Sequence, residues 1–113
     1  RYAGVNAILT WIIDSRGYVA HIHEHVKKQD VEISALAYYP NTMDGDFQKR
    51  EDAIRHLKKV IAFSEKLGIG MVTTFVGRDQ TKSVEENLEA FSQIWPPIIQ
   101  YAEEHGVRIA IEN

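Results

Sequence analysis

The chain has 113 residues, of which 44% are hydrophobic and 26% charged, a composition typical of one small soluble domain with a hydrophobic core. Its 13 basic and 16 acidic residues give a net charge of −3, which disfavours nucleic acid as the main partner because phosphate binding requires a basic surface. The sequence has no cysteine, which excludes disulfides and thiolate metal sites and favours the cytoplasm, and no apolar run approaches the roughly 20 residues of a membrane span.

The predicted elements follow the order β-α-β-α-β-α-β. The segment GVNAIL, near residues 4–10, is predicted to form the first strand, and a short helix follows at about residues 18–29. The N-terminal stretch RYAGVNAILTWII lacks a small-residue cleavage site, so we do not expect a signal peptide.

Three later segments repeat one design: a charged helix end, then Asp or Gly, then a β-branched strand. They are KKQDVEISALAYYP, EKLGIGMVTTFVG and EEHGVRIAIEN, and their strands open at Val31, Ile69 and Val107, which are spaced 38 and 38 residues apart. Gly68 and Gly106 fall where a helix C-cap requires a left-handed residue. This regular period predicts βα units in a parallel sheet.

Two long helices are predicted between these strands. Apolar residues recur at helical spacing from about Asp46 to Leu67, and a second apolar stripe follows the capping box SVEE that begins at Ser83. Pro96 and Pro97 interrupt the second stripe, which predicts a kink or a break there.

Such a chain fits either a doubly wound open sheet or part of a (β/α)₈ barrel. A complete barrel needs about 250 residues. On the barrel interpretation the chain forms a single partial domain, residues 1–113, with about half of the strands, and is incomplete.

In VRIAIEN, residues 107–113, side chains alternate between the two faces of the strand. Val107, Ile109 and Ile111 share one face, which is expected to pack against helices, so Glu112 points to the opposite face at the carboxyl end of its strand. Parallel βα proteins place their active sites at that end. Glu112 is therefore either a functional carboxylate or a structural one that accepts a hydrogen bond from a nearby amide.

The carboxyl ends of the other strands hold further polar and aromatic residues. The segments AYYPN and TTFVGRD provide the candidates for ligand binding, which are Tyr38, Tyr39, Asn41, Thr74, Phe75 and Arg78. This mixture of hydroxyl, amide, aromatic and guanidinium groups suits a polyhydroxylated ligand. Each residue also suits turn chemistry, including a simple pair between Arg78 and Asp79.

The segment HIHEHV, residues 21–26, resembles a metal motif at first sight. On a helix, however, His21 and His23 lie about 200° apart, and only His21 and His25 share a face. No third ligand is evident nearby, so we interpret these histidines as structural or solvated.

Residues 31–113 resemble the xylose isomerase-like sugar phosphate isomerases and epimerases. The segments that carry the resemblance are EISALAYYPNTMD, HLKKVIAFSEKLGIGMVTTFVGRD and SVEENLEAFSQIWPPIIQYAEEHGVRIAIEN. Residues 1–30 match less well, because Asn6 stands where the family usually has an acidic residue. The resemblance implies a TIM barrel of which this chain supplies strands 2 to 5.

The resemblance also implies a divalent metal, Mn²⁺, Mg²⁺ or Zn²⁺, bound at the strand tips. Glu112 would be its first glutamate ligand and a catalytic base, with Asn113 among the substrate-binding residues and the other ligands on later strands. The metal would act as a Lewis acid that stabilises an enediolate of a sugar or sugar phosphate. Because a second acid/base group is needed, we expect little or no activity from the chain alone.

Two alternatives are kept beside this interpretation. A half-barrel with two open sheet edges could be non-catalytic and associate with itself as a homo-oligomer. An endonuclease IV-like DNA repair enzyme shares the barrel, but it requires several histidines at strand tips and a basic face, which this sequence lacks.

Overall fold

The computed structural model describes the backbone of residues 2–5 and 17–112 and the side chains of residues 20–112. The strands are β1 (Tyr2–Val5), β2 (Glu32–Tyr38), β3 (Met71–Thr74) and β4 (Arg108–Ile111), and the helices are α1 (Gly17–Gln29), α2 (Phe47–Leu67) and α3 (Val84–Glu104). Within these described residues, the elements follow the predicted order. The predicted first strand overlaps β1 at residues 4 and 5, while Asn6 and residues 7–10 lie outside the described residues.

The four strands form one parallel sheet in the order β1-β2-β3-β4. Each strand therefore pairs with the next strand along the chain, through a helical crossover. A doubly wound sheet reverses its strand order at a switch point, whereas a barrel keeps sequence order. The observed order is that of a partial barrel, as predicted.

The register between β1 and β2 shifts by one residue, because Ala3 pairs with Ile33 whereas Val5 pairs with Leu36. The extra residue in β2 is a bulge-like irregularity that changes which face later side chains occupy. Ile33 and Leu36 consequently both pack against the hydrophobic core, although they are separated by an odd number of positions.

The core lies between the sheet and the helices. Leu36 and Val72 on the strands are fully buried, as are Leu57 of α2 and Trp95 and Ile98 of α3. All five belong to one cluster of buried side chains. Helices cover this face of the sheet, which we call the helix face. The opposite face, which we call the open face, carries Met71 and Thr73 of β3. Thr73 pairs with Ala110 of β4 on this face.

The helix ends agree with the predicted capping signals. The Asp46 side chain accepts a hydrogen bond from the Lys49 amide at the start of α2, and Gly68 ends that helix in the left-handed conformation. Ser83 and Glu86 form the complete capping box at the start of α3. Across the described residues, no helix is both long and apolar enough to cross a bilayer.

Of the kink or break predicted at Pro96 and Pro97, the break is contradicted, because α3 runs from Val84 to Glu104 with both prolines inside it; the kink stays a prediction. The two prolines are exposed, and the carbonyls that lose their donors belong to Ser92 and Gln93, which are also exposed. Water can therefore replace the missing hydrogen bonds. Trp95, fully buried beside the pair, holds the helix against the core.

Candidate functional site

Glu112 follows the carboxyl end of β4, the edge strand of the sheet, and its neighbour is β3. Its amide donates a hydrogen bond of 2.9 Å to the Thr74 carbonyl, which extends the β3–β4 ladder by one residue. Since Ala110 pairs with Thr73 on the open face, alternation directs Glu112 to that face as well.

The Glu112 side chain is exposed. Within residues 20–112, no hydrogen bond or ion pair engages its carboxylate. The structural alternative, in which this carboxylate caps a neighbouring amide, therefore receives no support from the described residues. Asn113, the neighbouring candidate, lies outside the described residues.

Two candidates, Tyr38 and Thr74, lie on the helix face. They pair with each other across β2 and β3, and Tyr38 is 3% exposed while Thr74 is fully buried. The Tyr38 hydroxyl donates a hydrogen bond of 2.9 Å to the Ala53 carbonyl of α2, and the Thr74 hydroxyl donates to the Phe75 carbonyl. Both side chains are part of the core packing, and this placement argues against contact with a ligand on the open face.

Burial of Tyr38 predicts a pH dependence of stability at alkaline pH. Desolvation, with a smaller contribution from the Asp52 carboxylate, raises the pKa of Tyr38 from 10.0 to about 12. Because the folded pKa exceeds the unfolded one, this contribution is present below pH 10 and is lost as the pH rises towards 12. We expect a loss of about 2–3 kcal/mol in the free energy of unfolding over that interval.

Chemical denaturation of the wild type and of Tyr38→Phe at successive pH values measures this loss. The difference between the two proteins removes the titration of other groups. A Tyr38→Phe protein that loses as much stability as the wild type between pH 10 and 12 would contradict the assignment.

Tyr39 and Phe75 form an aromatic pair at the carboxyl ends of β2 and β3. Their ring centroids are 4.4 Å apart, and the side chains are 36% and 37% exposed. The Tyr39 hydroxyl lies 3.4 Å from the Thr73 hydroxyl on the open face. The pair therefore gives an accessible aromatic surface with a hydroxyl at its edge, on the same side of the sheet as Glu112.

Asn41 joins the two loops at this end of the sheet. Its amide nitrogen donates to the Arg78 carbonyl at 2.8 Å, and its oxygen accepts from the Met43 amide at 2.9 Å. Thr42, fully buried, donates to the Val76 carbonyl at 2.9 Å. Asn41 is thus engaged in loop structure. The sequence does not predict this role for Thr42, because its partner lies 34 positions away and no local pattern indicates the contact.

Gly77 is required where the two loops meet. It has a φ of 78°, and a Cβ atom at this position would lie 2.7 Å from Cγ of Asn41. Gly68 has a φ of 72° with open space around it, and Gly70 has neither constraint. Alanine substitutions at these three glycines distinguish the free-energy cost of a left-handed backbone from the cost of steric overlap.

We expect Gly70→Ala to change stability by less than about 0.5 kcal/mol. Gly68→Ala should cost about 1–2 kcal/mol through the backbone alone. Gly77→Ala should cost a further 1–3 kcal/mol through overpacking. Urea denaturation of the three variants measures the series, and equal losses at Gly68 and Gly77 would show that the Asn41 contact is unimportant.

Arg78 and Asp79 do not form the ion pair that the sequence analysis gave as a structural alternative. Asp79 accepts hydrogen bonds from the amide and hydroxyl of Thr81, and Lys82 lies 4.0 Å away. These hydrogen bonds, with the charges of Lys82 and Arg50, lower the pKa of Asp79. Arg78 instead lines a polar cavity of about 510 Å³ between the two loops.

The histidines of HIHEHV lie on α1, away from the strand tips. His23 is within hydrogen-bond distance of the Leu67 carbonyl, at 2.9 Å, and His21 and His25 are exposed. Among the residues that the structure describes, no three His, Cys, Asp or Glu side chains are close enough to hold a metal ion. Within that part of the chain, Glu112 therefore stands as a single candidate ligand.

Comparison with known proteins identifies the architecture. The sequence model of the xylose isomerase-like TIM barrel matches residues 4–113. None of the curated proteins searched matches the chain.

Three solved structures illustrate the likeness of fold. A xylose isomerase domain protein from Planctomyces limnophilus has a TM-score of 0.80 at 9% identity, over 99% of this chain and 44% of that one. D-psicose 3-epimerase from Clostridium cellulolyticum H10, solved with D-tagatose, has a TM-score of 0.77 at 14% identity, with coverage of 97% and 41%. The IOLI protein, solved with a zinc atom, has a TM-score of 0.73 at 19% identity, with coverage of 97% and 40%. The chain thus spans less than half the length of these structures.

Proposed function

The chain belongs to the xylose isomerase-like TIM barrel family, and from that premise we propose that it is part of a sugar or sugar-phosphate isomerase or epimerase in which Glu112 takes up a proton beside a divalent metal ion. Residues 1–113 form one partial barrel domain in this proposal. The observation that carries it is the position of Glu112, at the tip of β4 and on the open face.

Glu112 has the properties that proton transfer requires. Its backbone is fixed by the hydrogen bond to Thr74, while its carboxylate is exposed. A positioned carboxylate can accept a proton from the carbon next to a substrate carbonyl, and such general-base catalysis contributes about 10²–10⁴-fold in rate. A second acid/base group is needed to complete the reaction from the other side.

Tyr39, Phe75 and Thr73 supply the surface for the sugar in this proposal. The two rings are about one-third exposed and adjacent, which suits the apolar face of a sugar ring, and the Tyr39 and Thr73 hydroxyls suit its polar edge. Tyr38 and Thr74 are left out because their side chains pack on the helix face. Asn41 serves the site by positioning the Arg78 loop.

The metal is the least complete part of the site. Carboxylate oxygen is a ligand that Mn²⁺, Mg²⁺ and Zn²⁺ all accept, so Glu112 fits as one ligand. The described residues offer no group of three, so in this proposal the remaining ligands come from elsewhere in the complete enzyme. When bound, the metal supplies a Lewis acid that polarises the substrate carbonyl.

Binding of Mn²⁺ to the chain tests this assignment. We expect weak binding that Glu112→Gln lowers about tenfold or more, because the neutral amide removes the charged ligand while keeping its shape. Glu104→Gln, at the exposed C-terminal end of α3, makes the same change in charge at the opposite end of the sheet and should leave binding unchanged. Isothermal titration or Mn²⁺ electron paramagnetic resonance measures both. Equal affinity in the wild type and Glu112→Gln would refute the proposed ligand.

A second candidate is a half-barrel that associates with itself through the sheet edges, as a homo-oligomer. The observation that favours it is Ile111, which lies on the helix face of the edge strand β4 and is 50% exposed. Leu88 and Ile99 of α3 are also exposed. Light scattering of the same samples, with and without Mn²⁺, measures it. A monomer in both conditions would count against association.

The proposed ligand is a small sugar and the proposed compartment is the cytoplasm, in keeping with a cysteine-free chain. DNA repair of the endonuclease IV type is not favoured. Histidine is missing from the strand tips throughout the described part of the chain, and the net charge is −3.

A further inference from the structure

The loop after β3 holds Arg78 on a fixed backbone. Asn41 donates to the Arg78 carbonyl, and Thr42 donates to the Val76 carbonyl. Asn87, in the first turn of α3, accepts from the Asp79 amide at 2.8 Å and donates to the Asp79 carbonyl at 3.0 Å. Residues 76, 78 and 79 are thus each fixed by a side chain from outside the loop.

The guanidinium of Arg78, in contrast, makes no ion pair or hydrogen bond with the residues described. It lines two cavities, the polar one of about 510 Å³ and an apolar one of about 350 Å³ beside Met43, Val76 and Phe91. Arginine has five donors in a planar fork that matches a carboxylate or a phosphate. Here the side chain is exposed at the rim of the strand-tip end with its donors available.

Three carboxylates line the polar cavity together with Arg78, and each accepts hydrogen bonds from other groups. Asp79 accepts from Thr81. Asp44 accepts from the Asp46 amide, and Asp46 accepts from the Lys49 amide as the cap of α2.

The polar cavity is lined by three carboxylates, those of Asp44, Asp46 and Asp79, and by one cation, Arg78. Two further cations, Arg50 and Lys82, lie outside the lining. Arg50 donates to the Asp44 carbonyl, and Lys82 lies beside Asp79. Arg50 and Lys82 therefore offset part of the negative charge that an anion meets as it approaches Arg78.

We propose that Arg78 is the anchor for an anionic group on the substrate, a phosphate or a carboxylate, so that the site selects anionic sugars over neutral ones. The inference rests on the proposed function and deepens it by naming the substrate class. A planar guanidinium binds either group through two parallel hydrogen bonds, and a rigid backbone lowers the entropy lost on binding.

The test compares three ligands: D-fructose 6-phosphate, D-glucuronate and D-fructose. We expect the wild-type chain to bind at least one anionic sugar about tenfold or more tightly than the neutral one, by isothermal titration. Arg78→Gln should abolish that difference, and Arg78→Lys should restore part of it, because lysine keeps the charge without the fork. Arg55→Gln, which removes the same charge from an exposed position on α2, should behave as the wild type.

The two anionic ligands identify the group that Arg78 binds: tighter binding of D-fructose 6-phosphate indicates a phosphate, and tighter binding of D-glucuronate indicates a carboxylate. Equal affinity for all three ligands, no measurable binding of any, or an anion preference that survives Arg78→Gln would overturn the inference. Circular dichroism confirms that the variants are folded.

Titration of Glu112→Gln separates this inference from the proposed function. An anion preference that persists in Glu112→Gln supports the anchor independently of the metal ligand. If Mn²⁺ binding proves independent of Glu112 while the anion preference still requires Arg78, the proposed function fails and the anchor stands.

Discussion

Replacement of Trp95 by alanine is expected to lower the free energy of unfolding by about 3–5 kcal/mol, a large share of the 5–15 kcal/mol typical of a small domain. Trp95 is fully buried in the middle of α3, and its ring lies 6.0 Å from that of Phe91. Truncation removes the largest fully buried side chain in the described part of the chain and leaves a cavity between α3 and the sheet. Urea denaturation followed by circular dichroism measures the loss.

Two further substitutions test the reason for this effect. Trp95→Phe should cost less than Trp95→Ala, because the ring is mostly kept and the indole N–H, which is buried without a partner among the described residues, is removed. Pro96→Ala, at the exposed neighbouring position, should leave stability unchanged or raise it, since alanine restores a helix donor. A loss at Pro96→Ala as large as that at Trp95→Ala would show that the proline, and not the packing, maintains α3.

The fold could be predicted because its signals are local. The capping box at Ser83, the left-handed Gly68 and the alternation that ends at Glu112 are each specified by a few consecutive residues, and the structure has all three. The prediction of a break at Pro96 and Pro97 is wrong for the opposite reason, because a non-local contact decides the outcome. Local propensity predicts it, but burial of Trp95 and Ile98 beside the prolines outweighs the local preference.

The candidate site could be predicted only in outline. The sequence identifies the strand ends, but the candidate list does not separate Tyr38 from Tyr39, which point to opposite faces. The alternation from Leu36 to Tyr38 contains that distinction. The link between Asn41 and Arg78 joins residues 37 positions apart. No periodicity or motif marks such a contact, because it exists only once the two loops are brought together by the sheet.

The proposed role of Glu112 predicts that the chain exchanges a substrate proton with solvent while forming little or no product. The wild-type chain, with Mn²⁺ and a ketose in deuterium oxide, is expected to give little or no isomerised or epimerised sugar. A single carboxylate can nevertheless remove a proton from the carbon next to the carbonyl and return a deuteron to the same side. The sugar then regains its original configuration and carries the isotope.

Proton NMR of the recovered ketose distinguishes the two events. We expect slow isotope incorporation in the wild type that falls about 10²-fold or more in Glu112→Gln, since the amide cannot accept the proton. Glu104→Gln, which leaves the strand tips unchanged, should exchange as fast as the wild type. Product in amounts comparable to exchange would place a second acid/base group within these 113 residues, and exchange that persists in Glu112→Gln would assign the base to another residue.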